Sequence, residues 1–469
     1  MKVGFVSLGC PKNLVDTEVM MGQLVASGHE LTPRPDEADI IVVNTCSFID
    51  PAKQESVETI LEMAGHKKTG KAQKLIVAGC LVERYRGDIR KEMPEVDAII
   101  GTNELDKIVA LCNGEDATAN PLEPYLYHDL TPRVLSTPRH FAYIKISEGC
   151  DHPCSFCVIP QYRGANRSRR FESVVVEAER LFAQGIREIN LIGQDTTVYG
   201  EDLGIQDGLA HLLKRLAAIE TPQEKWVRFV YAYPNKVTSR LLEAIGSHPS
   251  IAKYIDMPLQ HASASVLKRM KRGANGEIFL KLIEKMRKMI PGVTLRTSFI
   301  VGFPGETEQD FEELCQFVQA AQFDRVGVFE YSDEDTSQSY HLDGKVDLKT
   351  IRARKRKLMS VQKKISKKRN RALVGSEFSV LVDGPSEETE LLWQARAQSQ
   401  APEIDGVCYI NDFGEAAPAP GQMRRFRVTE AHDYDLVGEL VDTAVEPVRP
   451  VARELFPILT ARPEATLSR

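Results

Sequence analysis

Three times within the first eighty residues a short apolar run gives way to a cysteine: Lys2–Leu8 to Cys10, Asp39–Val43 to Cys46, and Lys74–Ala78 to Cys80. Stretches with helical spacing lie between, near Asp16–Ser27, Ala52–His66 and Leu81–Met93, and Asp97–Ile100 reads as a fourth strand. Strand–helix alternation of this kind predicts an α/β, doubly wound parallel sheet. In such a sheet the carboxyl ends of the strands share one edge, and ligands gather in the crevice outside it. The three cysteines recur at intervals of 36 and 34 residues, so the topology brings them to one place. Thiols scattered through a core would keep no such phase; coincidence is the competing reading.

The alternation resumes from Phe141 in longer units. Candidate strands are Phe141–Ser147, Arg187–Ile192, Trp226–Tyr231, Lys253–Met257, Thr294–Val301 and Arg325–Tyr331. Helical stretches fit between them at Glu172–Gln184, Asp207–Ile219, Ser239–Ile245, Glu277–Met289 and Glu308–Ala321. Six such strands fit a partial β/α barrel, and strand number alone does not separate that from an open sheet. The organisation expected is a domain over 1–112, a Pro-rich linker over 113–139 and a barrel domain over 140–344. A basic helix over 345–371 and a small all-β barrel over 374–441, with strands at Phe378–Val382, Gly406–Ile410 and Arg425–Thr429, come next. The Pro-rich stretch 442–469 reads as a mobile tail.

Composition bounds the answer without giving it. A chain of 469 residues suggests about three domains. No apolar run is long enough for a membrane span, and Ser7-Leu8-Gly9-Cys10 has too short a preceding segment for a secretory cleavage site. A cytoplasmic protein is expected, in which cysteines stay reduced and bind metal or do chemistry. There are nine cysteines, an odd number that no complete disulfide pairing satisfies.

Cys150-Asp-His-Pro-Cys154-Ser-Phe-Cys157 directly follows the first barrel strand. Structural zinc wants four closed ligands, and no fourth cysteine or histidine stands at a fitting distance; His152 lies awkwardly inside the run. An iron–sulfur cubane normally takes four cysteines, so three leave one iron open to an outside ligand. The reading taken is an open 4Fe-4S cluster, with zinc or an inert group of thiols as alternatives. Cys10, Cys46 and Cys80 read as ligands of a second such cluster. Cys112, Cys315 and Cys408 read as plain buried thiols.

These residues resemble the signature of radical S-adenosylmethionine enzymes. The order of a three-cysteine N-terminal domain, radical domain and C-terminal TRAM-like barrel resembles the methylthiotransferases of that group. Further agreement lies in Glu148-Gly149-Cys150, Pro160–Ser168 with Arg163-Gly164, Leu191–Asp195 and Phe299–Thr307. The resemblance spans nearly everything from Lys2 to Val441. It implies that the cluster on Cys150, Cys154 and Cys157 cleaves S-adenosylmethionine to a radical that takes a hydrogen from the substrate. A second cluster on Cys10, Cys46 and Cys80 would then present the methylated sulfur. It also implies cofactor contacts at Phe156, near the adenine, at Gly193 and Gln194, near the amino group, and at Ser298, near the sugar. Each of the last three could equally be a packing or loop residue.

The family divides by target into enzymes acting on a tRNA adenosine and one acting on the β-carbon of an aspartate in a small-subunit ribosomal protein, the twelfth. Ala142–His152, Gln194–Gly200, Lys253–Ser263 and Ala401–Gly406 look like the second kind, and tRNA enzymes typically read Gln-Asn where this chain has Gln194-Asp195. Gln260-His261 reads first as a loop hydrogen bond and second as a substrate contact. Charge points the same way. Residues 374–441 hold 13 Asp and Glu against 4 Arg, whereas gripping tRNA calls for basic surface. An acidic barrel attracts a basic ribosomal protein, although acidity also serves solubility. Residues 345–371, with 13 Lys and Arg against one Asp, read as a solvated helix packed along Ile351, Leu358, Val361 and Ile365 rather than as a nucleic-acid site. A reducing protein partner is implied, of unknown identity. The tRNA enzyme and a non-catalytic iron–sulfur electron carrier are the alternatives, the latter opposed by the open ligation.

Overall fold

The structure is a computed structural model and describes residues 1–115, 125–389, 391–442 and 458–459. The N-terminal sheet is parallel, in the order β2-β1-β3-β4-β5, with β1 Lys2–Ser7, β2 Glu30–Leu31, β3 Ile40–Thr45, β4 Lys74–Gly79 and β5 Ala98–Ile100. Helices on both faces bury β3 completely, which is why that strand reads as an unbroken aliphatic run. The two-residue β2 escapes the sequence reading. The first helix starts at Pro11, five residues before the expected Asp16, because proline's fixed φ suits the first helical turn and Cys10 serves as its N-cap.

The central domain opens on β6 Phe141–Lys145, followed by a short antiparallel pair, β7 Ser147–Glu148 and β8 Arg167–Ser168. The remaining parallel strands are β9 Glu188–Ile192, β10 Trp226–Phe229, β11 Tyr254–Asp256, β12 Thr294–Val301 and β13 Arg325–Glu330. They hydrogen-bond as β6-β9-β10 and β11-β12-β13. A parallel bridge between Val227 and Ile251 joins the halves, giving the six-stranded partial barrel expected. Outward-facing Ile144, Ile189, Leu191 and Val227 pack under the helices, while Tyr143, Asn190 and Arg228 stand in register one residue away on the inner face.

The basic segment forms the helix Leu348–Arg371, capped by the Asp347 side chain on Thr350 N. Its buried stripe includes Ile351, Leu358 and Ile365. Beyond it, β14 Glu377–Pro385, β15 Trp393–Ala397, β16 Cys408–Asp412, β17 Met423–Ala431 and β18 Leu436–Leu440 close a barrel in the order β14-β15-β16-β18-β17. Two of these five, β15 and β18, lie outside the three strands expected.

The stretch read as a linker lies partly outside the described residues, but residues 125–139 wedge between the first two domains. Buried Arg133 pairs with Glu18 at 2.6 Å and Glu177 at 2.7 Å, a sequence-distant neutralisation that no local pattern signals. Of the expected tail, nearly all lies outside the described residues; Leu459 is buried, and its N–H donates to Phe5 O at 2.6 Å. No helix among the described residues is long and apolar enough to cross a membrane.

Candidate active site

The first triad is built by local backbone. Gly149 has φ 86°, and a Cβ there would lie 2.0 Å from the Ala165 carbonyl oxygen. Only glycine lets the chain turn out of β7 so close to the returning strand. Cys150 N–H donates to Gly164 O and Cys157 N–H to Cys154 O, both at 3.1 Å. Ser155 anchors the run by donating its hydroxyl to Arg269 O at 2.8 Å. His152 is engaged elsewhere: its Nε2 lies 2.6 Å from Asp195 Oδ2 and its ring stacks on Tyr233 at 3.6 Å. Arg272 completes the cluster, with its guanidinium over the same tyrosine at 4.4 Å and Nη1 donating to Cys154 Sγ at 3.4 Å. Burial pushes the Cys150 thiol up to about 11 and Cys157 up to about 12.

The second triad is built by the sheet. Cys10 sits just past β1, Cys46 follows β3 directly, and Cys80, directly after β4, is the first residue of the helix Cys80–Glu92. A Cβ on Gly9 would lie 2.7 Å from Cys46 Cβ, so β1 and β3 deliver their ends side by side. Cys46 is fixed by Ser56, whose hydroxyl accepts from Cys46 N–H at 3.0 Å. Burial, reinforced by the neighbouring Cys10 and Cys80, pushes Cys46 up to about 12. Burial pushes Cys10 up too, but Lys12 and Arg163 beside it more than reverse this, holding it below the ordinary thiol value.

A buried charge quartet joins the two. Arg163, six residues after Cys157, donates from Nη1 to Glu148 at 2.9 Å and from Nη2 to Cys80 Sγ at 3.3 Å. The same guanidinium reaches Asn13 Oδ1 at 2.5 Å and Asp16 at 3.4 Å. Lys145 pairs with Asp16 and with Glu148, the latter at 2.6 Å. Two carboxylates thus meet two cations, a balance that such burial requires. Gln194 donates to Glu148 at 2.6 Å, and Lys12, two residues after Cys10, donates to Gly193 O at 3.3 Å. Gly193 and Gln194 therefore stand where both triads border. Ser298 is buried on β12, its carbonyl accepting from Gln260 N–H at 2.8 Å. Phe156 is half-buried and packs edge-on to Phe303 at 6.5 Å. His261 is fully buried with Nδ1 accepting from Ser263 N–H at 3.0 Å, the loop bond expected of it; burial holds its pKa down to about 3.

Among the described residues no three His, Cys, Asp or Glu side chains close around a single ion. Structural zinc takes four closed protein ligands. A cubane puts each protein thiolate on a different iron, and three cysteines are the donor set of one with an open iron. The donor sets fit such clusters.

Residues 2–101 match the model of an uncharacterised protein family, UPF0004, residues 144–318 the radical SAM superfamily, and residues 374–441 the TRAM domain. The ribosomal protein uS12 methylthiotransferase RimO of Solibacter usitatus is 73% identical over 98% of this chain and 99% of its own. The chain belongs to the RimO family. Its Koribacter versatilis relative, of the same name, is 60% identical over 94% and 96% of the two chains. The radical S-adenosylmethionine methyltransferase TsrM of Kitasatospora setae shares the fold at TM-score 0.52 and 15% identity, over 70% of this chain and 72% of that one. RimO-family membership makes the chain a radical S-adenosylmethionine enzyme, with the 4Fe-4S cluster and S-adenosylmethionine that this superfamily entails, rather than an electron carrier. Lys12, Asn13, Glu148, Arg163 and Arg272 carry the site's electrostatics, and sequence reasoning gave them no role. The signals available were the stretches Glu148-Gly149-Cys150 and Arg163-Gly164, which carry the family resemblance, and position: Lys12 and Glu148 each stand two residues from a triad cysteine.

Proposed function

We propose that this chain replaces a hydrogen on the β-carbon of an aspartate of ribosomal protein uS12 by a methylthio group. It would use two 4Fe-4S clusters, one on Cys150, Cys154 and Cys157 and one on Cys10, Cys46 and Cys80. The observation that carries the two-cluster reading is Arg163, which touches Cys80 with one arm and Glu148, two residues before Cys150, with the other. Both triads thereby border one buried polar network.

When bound, the clusters and S-adenosylmethionine supply the hydrogen-abstracting radical and the transferable sulfur that no side chain offers. The protein's part is placement. Glu148 and Gln194 form one polar edge beside the first triad, Phe156 an apolar one, and Ser298 lies across the barrel on β12. Arg272 and Arg163 direct N–H groups at cysteine sulfurs, a contact that raises the potential of a bound cluster. The carboxylates of the quartet are fully paired, which keeps them from competing for the space.

The target class is supported by the names of the relatives and by the C-terminal barrel. Two of that barrel's four arginines are buried in ion pairs, Arg396 with Glu188 and Asp383, and Arg424 with Asp442. Arg425 and Arg427 face Glu377. Little positive charge is left to hold phosphates, while a basic ribosomal protein would find an acidic face. The setting is the cytoplasm, where a reducing protein would deliver the electron. Mass spectrometry of uS12 and of tRNA from cells lacking this chain tests the proposal. The methylthio group should vanish from uS12 with tRNA unchanged; loss from tRNA alone would refute it.

A further inference from the structure

The quartet leaves one cation over. Asp16 and Glu148 are balanced by Lys145 and Arg163, but Lys12, beside them, has no carboxylate within ion-pairing distance among the described residues. Its ammonium lies 3.6 Å over the Tyr231 ring and donates to Gly193 O at 3.3 Å. It stands two residues beyond Cys10, and its reach ends at the residue that closes β9 toward the first triad. A lysine ammonium has three donors. A carbonyl and a ring face leave at least one N–H without a carboxylate partner among the described residues; Cys10 and Glu148 answer its charge only through space, in a place where an incompletely paired charge is costly.

We infer that Lys12 is the binding residue for the side-chain carboxylate of the substrate. This rests on the aspartate reading above. The carboxyl carbon is bonded directly to the β-carbon that reacts, so an ion pair there fixes the reacting atom one bond away, between the two triads. A compact point charge suits this role, because it holds a carboxylate without imposing the two-pronged geometry of arginine. Tyr231 serves as the floor. It adopts φ 66°, unusual for an aromatic residue, and Asp256 Oδ2 accepts its N–H at 3.2 Å, holding the ring under the ammonium. Such an ion pair tells an acidic side chain from its amide: asparagine, equal in shape, would not neutralise Lys12.

The test uses reconstituted full-length enzyme and two synthetic peptides spanning the target loop of uS12, one with the aspartate and one with asparagine in its place. Wild type should bind the aspartate peptide at least tenfold more tightly. Lys12→Met should abolish that preference by weakening the aspartate peptide alone, and Lys12→Arg should keep most of it. Iron content and affinity for S-adenosylmethionine should be unchanged in both variants. Equal weakening of both peptides, or an undiminished preference in Lys12→Met, overturns the assignment. So does a loss of S-adenosylmethionine affinity, which would place the cofactor's own carboxylate on Lys12, or a loss of iron, which would make the lysine a support for the cluster. A wild-type enzyme that binds neither peptide overturns the aspartate reading itself.

Discussion

The two cysteine triads reach similar chemistry by opposite routes. One is eight residues of continuous chain, shaped by main-chain hydrogen bonds from Cys157 to Cys154 within it and from Cys150 to Gly164 seven residues beyond it. The other is assembled from three strand ends 70 residues apart in sequence, and exists only when β1, β3 and β4 are in register. The first depends on a turn, the second on a domain. Local perturbation should therefore separate them, and only a residue touching both should disturb them together.

The largest effect expected is the loss of half the metal. Anaerobic reconstitution should load about eight irons per chain, from the four-iron stoichiometry of each cluster. Replacing Cys150, Cys154 and Cys157 by Ala should leave about four, and so should replacing Cys10, Cys46 and Cys80. A wild-type protein that loads only one cluster, or zinc, would end the comparison. Iron and sulfide analysis reads the outcome.

Arg163 is the residue the triads share. Arg163→Met leaves Asp16 and Glu148 facing Lys145 alone. Breaking a buried pair by removing one partner typically costs about 3–5 kcal/mol, and Arg163 is 2% exposed, so little solvent screening reduces this. Urea unfolding should show the loss, and both clusters should load poorly. Arg163→Lys should recover part of the stability but not the bond to Cys80, since a point charge cannot span the forked contacts. If only one triad suffers in Arg163→Met, the quartet is not the bridge described above.

The same contrast explains what could be read from sequence. The spacing of Cys150, Cys154 and Cys157 is visible because the structure there is local. The convergence of Cys10, Cys46 and Cys80 was also legible, through one general property of parallel sheets, that strand ends share an edge. The partners of Arg163, Lys12 and Arg133 were not legible, because they lie far away in the chain: Arg163 reaches Cys80 across 83 residues and Arg133 reaches Glu18 across 115. A buried cation looks like any surface lysine or arginine until packing removes the water. The small barrel lost two short strands, β15 and β18, although β16 is no longer than these and was found.

Two glycines separate the triads more gently. Gly149→Ala would set a Cβ 2.0 Å from Ala165 O, at φ 86°. Gly79→Ala would set one 2.3 Å from Asn44 Oδ1 and 2.6 Å from Thr45 O, at φ 95°. Strained backbone of this sort costs about 1–3 kcal/mol. Gly149→Ala should deplete the irons of the first triad, Gly79→Ala those of the second. Iron content measured in each background of triple-alanine variants assigns the loss; depletion of both clusters by either substitution would show that the sites are mechanically one.

The smallest effect concerns two fully buried hydroxyls. Ser56 accepts from Cys46 N–H at 3.0 Å and shares its proton between Cys46 O and Ala52 O, each at 2.8 Å. Ser56→Ala leaves the Cys46 amide without a partner, and an orphaned buried donor costs about 1–3 kcal/mol. Ser147, three residues before Cys150, has a buried Oγ with no partner among the described residues. Ser147→Ala removes an unsatisfied group and should be neutral or stabilising by up to about 1 kcal/mol. The metal-free protein is the right sample for unfolding, because no cofactor then contacts either hydroxyl. The Cys46 amide of the sheet-built site is held by a side chain, whereas the Cys150 and Cys157 amides of the loop-built site are held by the main-chain carbonyls of Gly164 and Cys154; equal destabilisation by the two substitutions would contradict that division.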